Sequence, residues 1–193
     1  MTIGAPRDYR RMREPTWQAA GRTRLEDWPS APLLRGDRIV LEPLREDHAV
    51  EMAPLLGDAA LHIFIGGEPP TSAQLKQRYR RQVVGHSPDG MQRWLNWIIR
   101  LEDRDAIGTA QATVVEARGQ CVAELAWVVA TAYQGQGLAK AAAQLMSAWL
   151  RSQGVMTLVA NIHPDHAASQ AVARSIGLAP TTTLHDGEVR WQG

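Results

Sequence analysis

The sequence predicts an α/β domain built on a mixed, mainly antiparallel sheet flanked by helices, and three observations carry that reading. Strand-like runs from Trp94 to Leu101, Ala106 to Val115 and Cys121 to Val129 are joined by loops too short for anything but an antiparallel meander. Helix and strand patterns then alternate to the C-terminus. Between these halves, Gly135-Gln136-Gly137 stands where a strand gives way to a helix.

Taken in order, residues 1–36 hold seven arginines, four acids and four prolines without sustained periodicity, and are expected to form an extension to a domain covering 37–193. Trp17 and Trp28 could pin that extension to the domain or to a second subunit, which leaves a homodimer open. Ile39 and Leu41 alternate with Val40 and Glu42 as a first strand, and Glu46 to Leu56 reads as a helix. Pro69-Pro70-Thr71 opens a second helix through Val84, with Leu75, Tyr79 and Val83 on one apolar stripe, so that a helical hairpin is expected. After the meander come a helix from Gln136 to Gln153, with Leu138, Ala141, Ala142, Leu145 and Trp149 on its buried face, and a strand from Thr157 to Ile162. A helix from His166 to Ile176 follows, then a hairpin turning at Asp186-Gly187.

Composition narrows the function classes. No run of about 18 apolar residues is available for a membrane span, and the N-terminal arginines have no apolar stretch behind them, so no membrane partner and a cytoplasmic location are expected. A formal net charge of +1 calls for no nucleic-acid partner. The lone cysteine, Cys121, lies in an apolar run and reads as a small hydrophobe. His163 and His166 are separated by Pro164 and a strand-to-helix turn, which breaks helical metal-pair geometry, and no metal is expected.

The Gly-x-Gly turn carries the chemistry. Glycines let the backbone adopt conformations closed to other residues, and the first amides of the following helix lack internal partners, so the turn suits a phosphate or pyrophosphate. A dinucleotide fingerprint is not met, because Lys140 stands where its third glycine belongs, and a Walker loop would need Gly-Lys-Ser/Thr. A plain tight turn explains the glycines alone equally well.

Gln134-Gly135-Gln136-Gly137-Leu138-Ala139 resembles the Gln/Arg-x-x-Gly-x-Gly/Ala signature of the GNAT superfamily of N-acetyltransferases. The order of elements from Arg38 to Trp191 agrees with that family. Ala123-Glu124-Leu125-Ala126-Trp127, with His166-Ala167-Ala168-Ser169 downstream, is similar to the branch that includes ribosomal-protein N-terminal acetyltransferases.

The resemblance implies acetyl-CoA as co-substrate and an amine as acceptor. The amides of Gly135, Gln136, Gly137, Leu138 and Ala139 would hold the pyrophosphate, with Gln134 before them and Lys140 within reach of the phosphates. Val128 and Val129 would pair their backbone with the pantetheine arm, and the Val129 N–H would face the thioester carbonyl. Glu124, mid-strand among apolar neighbours, is the expected base; a structural glutamate bonded to arginine or to amides is the alternative.

Two positions depart from the pattern. Where many members carry a tyrosine that protonates the leaving thiolate, this chain has Ala173, and Ser169 is the expected substitute, unless its hydroxyl only satisfies the helix start. His166 stands where an asparagine usually contacts the cofactor, and can donate a similar hydrogen bond. The expected activity is acetyl transfer to a primary amine, on a small molecule or a protein N-terminus, by direct attack in a ternary complex. The alternative is an acyl-CoA-binding sensor or scaffold without turnover.

Overall fold

The computed structural model describes residues 28–102 and 104–193. Trp17, the arginines at 7, 10, 11 and 13, and Asp103 of the predicted meander loop lie outside the described residues.

The sheet opens with β1 (Leu34–Arg35) and β2 (Ile39–Pro43) and continues through β3 (Gln92–Leu101), β4 (Ala106–Ala117) and β5 (Gln120–Val129), each antiparallel to the one before. β6 (Thr157–Ile162) then joins β5 in parallel, and a hairpin of β7 (Ala179–His185) and β8 (Glu188–Gln192) completes the order β1-β2-β3-β4-β5-β6-β8-β7. Among the described residues five α-helices flank it: α1 (Ala49–Leu56), α2 (Ala59–Ile65), α3 (Ser72–Gln82), α4 (Leu138–Ser152) and α5 (Ala167–Ser175). No described helix is long and apolar enough to cross a membrane.

Side chains alternate across a strand, so each face of the sheet has its own core. Leu95, Trp97, Leu125 and Trp127 point to the face covered by α4 and α5, whereas Ile98 and Val128 point to the face that α1 and α3 cover in part. Trp97 and Trp127 are therefore core residues, while Trp94 lies half-buried on the opposite face with its ring N–H donated to Gln92. Gly108 is required by contact: a Cβ there would lie 2.1 Å from the Val128 carbonyl oxygen, so only glycine lets β4 and β5 approach at this point.

Four details differ from the sequence reading. The predicted helical hairpin contains a further helix, α2, whose start is capped by the Asp58 carboxylate accepting from the Ala60 amide at 2.9 Å. Seven residues make too short a run to show helical periodicity. Val83, expected on the apolar stripe of α3, follows the helix end and is 41% exposed. The buried face of α4 runs through Leu138, Ala142, Met146 and Leu150, one step round from the predicted stripe. Ala141, Leu145 and Trp149 flank that face half-buried, and Trp149 reaches in sideways to meet Trp97 edge-on at 5.8 Å. Finally, the predicted extension ends in a strand, since β1 lies within it and pairs with β2; Trp28 pins it to the domain as the sequence allowed, 6% exposed in the main core, and the Pro32 carbonyl accepts from the Trp97 indole at 2.7 Å.

Candidate active site

The parallel pair β5 and β6 holds together only at its start. Its register covers Val122 with Thr157, Ala123 with Leu158 and Glu124 with Val159, after which β6 turns to β8 and leaves the rest of β5 without a neighbour on that side. The Ala130 amide donates to the Ile107 carbonyl at 2.8 Å, which fixes the antiparallel alternation. Backbone groups of Val128 therefore face β4, and those of Trp127 and Val129 face the gap. One of them is already satisfied, since the Gln134 side-chain amide donates to the Val129 carbonyl at 3.0 Å. The Val129 N–H thus lines an open slot between two splayed strands.

At the end of the slot the chain makes a short 3-10 turn over Thr131–Tyr133 and passes through Gln134 and Gly135 into α4. Gly137 is the N-cap residue, in the left-handed region at φ 76°, a conformation costly for any residue with a Cβ. Being glycine, it offers no side chain to cap the helix, and the first internal bond is the Ala141 amide to the Gly137 carbonyl at 3.0 Å. The amides of Leu138, Ala139 and Lys140 are left to an outside acceptor, with the positive end of the helix dipole behind them. Arg38 braces the turn from β2's side, donating to the Gln136 carbonyl at 3.0 Å. Lys140 is exposed beside it. These features fit a pyrophosphate followed by a thin extended arm.

Glu124 projects from β5 to the face that carries Thr113 on β4 and Asn161 on β6. It is half-buried, and the Asn161 side-chain amide donates to its Oε1 at 2.9 Å. Asn161 is itself 5% exposed, and its Oδ1 is buried without a hydrogen-bond partner. A carboxylate beside an unpaired carbonyl oxygen makes a pair of acceptors, the environment an ammonium or amine donor requires. Sequence reasoning missed Asn161. The available signal was a lone polar residue within the otherwise apolar run Leu158 to Ile162.

Because β5 and β6 are parallel, their C-terminal ends lie at one edge of the sheet, and α4 and α5 both start there. Ser169, in the first turn of α5, is 5% exposed, and Ala173 is fully buried in the core behind it. His166 is the N-cap residue of α5 and makes no capping bond with its side chain. Its ring stacks instead on Phe64 of α2, with centroids 4.2 Å apart, and His163 leans on the same ring at 5.8 Å. Burial, with a smaller effect of His163, lowers the His166 pKa below that of free imidazole.

The missed helix α2 accordingly spans the mouth of the slot. Its N-cap residue, Asp58, is held below the usual carboxylate pKa by the Thr131 hydroxyl just past β5, then by the Ala60 amide. Near its other end Phe64 sits on the start of α5. Cys121 lies at the far end of β5, where burial raises its thiol pKa, and takes no part. Among the described residues, no three His, Cys, Asp or Glu side chains gather as a metal site.

The stretch 38–179 matches the family model of the Acetyltransferase (GNAT) domain. Among curated proteins none matches the chain. Solved structures of similar fold include an acetyltransferase from Agrobacterium tumefaciens str. C58, at 22% identity over 86% of this chain and 96% of that one, with a TM-score of 0.65. RimL, a ribosomal L7/L12 alpha-N-protein acetyltransferase solved with coenzyme A, aligns at 16% identity over 84% and 97% of the two chains, with a TM-score of 0.68. AAC(6')-Ib, solved with Parmomycin and acetyl-CoA, aligns at 18% identity over 81% and 92%, with a TM-score of 0.67.

Proposed function

We infer that this chain, which belongs to the GNAT family of acetyl-CoA-dependent N-acetyltransferases, acetylates a primary amine, of a small molecule or a protein N-terminus, by direct attack in a ternary complex. The observation that carries the reading is the Glu124–Asn161 acceptor pair standing beside the slot that β5 and β6 open.

Acetyl-CoA supplies the acyl carbonyl and a thiolate leaving group, and each remaining task falls to a residue of the chain. The amides that follow Gly137 cradle the pyrophosphate, because nothing in the helix satisfies them. Gln134, Gly135 and Gln136 shape that cradle, and Lys140 adds charge at its rim. Val129, with Trp127 before it, receives the pantetheine arm as an added strand, because their backbone groups face the gap; those of Val128, expected from the sequence to take part, are spent on β4. The Val129 N–H then donates to the thioester oxygen, an interaction that strengthens as that oxygen becomes negative and is worth about 3 kcal/mol in comparable sites.

Glu124 takes the amine proton, directly or through water, while Asn161 fixes the carboxylate and accepts a second amine hydrogen on Oδ1. Ser169 offers a hydroxyl to the departing sulfur from the first turn of α5, and His166 borders the cofactor where the two helix starts converge. RimL modifies a protein N-terminus and AAC(6')-Ib was solved with Parmomycin, so this fold houses acceptors of both kinds.

The test pairs calorimetric titration of acetyl-CoA with thiol release over a panel of amines and peptides, in wild type and Glu124→Gln. Binding with acceptor-dependent release that falls in the variant supports the reading. Binding without release on any acceptor replaces it with an acyl-CoA sensor or scaffold.

A further inference from the structure

A second cleft opens on the same face of the sheet as Glu124, between α3 and strands β3 and β4, and no step above uses it. The cleft is narrow, with about 20 Å3 that a water-sized group can occupy and about 310 Å3 once the open solvent at its mouth is counted; Leu56 and Leu75 are among its apolar walls, and Arg78, Tyr79, Gln82, Asn96, Thr109 and Gln111 are its polar lining. Asn96 pairs in register with Gln111, and Gln111 with Ala126, two residues from Glu124 on the same face of β5. The cleft is therefore a neighbour of the amine site across one strand.

Two of its buried polar groups lack partners, and both can donate. Tyr79 is 3% exposed and Asn96 7%, yet the Tyr79 hydroxyl and the Asn96 Nδ2 are both buried with no hydrogen-bond partner. Burial holds the phenol well above its usual pKa, so it stays a donor at neutral pH. Folded proteins seldom leave two such groups unpaired at one cleft unless a water or ligand completes them. Arg78 lies half-buried at the same cleft with no carboxylate against it among the described residues. Its neighbours behave otherwise: Arg80 pairs with Glu46 at 3.1 Å, and Arg100 with Glu42 and Glu51.

We propose that this cleft binds a carboxylate of the acceptor, so that the substrate is an amine bearing a carboxylate several bonds from the reacting nitrogen. A guanidinium and two neutral donors, with no anionic side chain among them, match a carboxylate's two oxygens. The apolar walls match the carbon chain that separates the two ends. The inference rests on the acetyl-transfer reading for the position of the amine.

The experiment is calorimetric titration of the full-length chain, with and without CoA, using γ-aminobutyrate, δ-aminovalerate and ε-aminocaproate against butylamine, pentylamine and hexylamine, and acetate alone. We expect at least one amino acid to bind about tenfold or more tightly than the amine of equal length. Tyr79→Phe and Arg78→Gln should each remove most of that preference while leaving CoA affinity unchanged; Arg78 is half-exposed, so its variant remains informative if the buried Tyr79 change disturbs folding. No preference for the carboxylate in wild type, or a preference that survives both variants, overturns the proposal. Acetate binding as tightly as the amino acids also overturns it, since the cleft would then be a simple anion site. Failure of CoA to bind would strike the acetyl-transfer reading instead, and the carboxylate comparison stays readable in CoA-free protein.

Discussion

The Asn161 amide donates to Glu124 Oε1 across 2.9 Å, from the next-to-last residue of β6 to the last residue of β5 that pairs with that strand. The bond fixes the carboxylate at the point where the sheet opens. It also leaves Asn161 Oδ1 as a buried acceptor beside it.

Replacing Glu124 by glutamine keeps the shape and removes the base. We expect kcat/KM to fall by about 10²–10⁴, with acetyl-CoA affinity unchanged, as read by steady-state kinetics beside calorimetry. Equal activity in the variant would reduce Glu124 to a structural residue.

Asn161→Ala should act on the acceptor side alone. It removes a hydrogen bond to a charged group, worth about 1.5–3 kcal/mol, together with the amine's second contact. The acceptor KM should rise about tenfold or more, while the KM for acetyl-CoA stays in place. A matching loss on both substrates would show instead that the strands had shifted.

Gly137→Ala tests the cradle through the backbone. The residue sits at φ 76° with no atom within 4 Å of the missing Cβ, so space is not the obstacle. The left-handed conformation itself is, at a cost of about 1–2 kcal/mol. Acetyl-CoA affinity should drop by about tenfold or more with only a small fall in Tm. Unchanged affinity would place the pyrophosphate elsewhere.

Much of this was legible in the sequence because the strongest signals are local. The meander follows from loop lengths, the final hairpin from Asp186-Gly187, and the cradle from two glycines at a strand-to-helix junction. Glu124 stood out as a carboxylate in an apolar strand. What escaped depends on tertiary contact. Helix α2 is too short for periodicity, and its place across the slot is set by Thr131 and His166, far off in sequence. Asn161 matters because β6 brings it to Glu124, and the donors of the second cleft because α3 brings Tyr79 to the cleft that Asn96 lines. A stripe drawn at helical spacing also misjudged α4, where small alanines left the orientation to larger neighbours across the interface.

Acid should unpick the face opposite α4. Burial raises the pKa of Glu42, but hydrogen bonds from Arg100 and Arg45 outweigh it and bring the value to about 2. Arg100 also donates to both oxygens of Glu51, at 2.5 and 3.1 Å, so the cluster ties α1 to β2 and β3. A carboxylate whose folded pKa is depressed stabilises the fold above its ordinary value of 4.5, and that contribution is lost as pH falls towards 2. Glu42→Gln should therefore be less stable than wild type at neutral pH, and the gap should close between pH 4.5 and 2. Denaturant titrations at several pH values measure it, and a gap independent of pH would assign the loss to packing.

The stack of Phe64 on His166 makes the mouth of the slot testable by titration. Burial keeps the His166 pKa low, and the Phe64 ring covers one face of the imidazole. Removing that ring in Phe64→Ala admits water, which favours the charged form, so the His166 pKa should rise towards 6.5. Imidazole proton shifts followed by NMR report it directly, with His163 as an internal comparison that leans on the same ring from farther off. If α2 closes the slot through this contact, acceptor KM should rise in the same variant while the acetyl-CoA dissociation constant holds. A raised His166 pKa without any kinetic change would leave the stack as packing between α2 and α5 and nothing more.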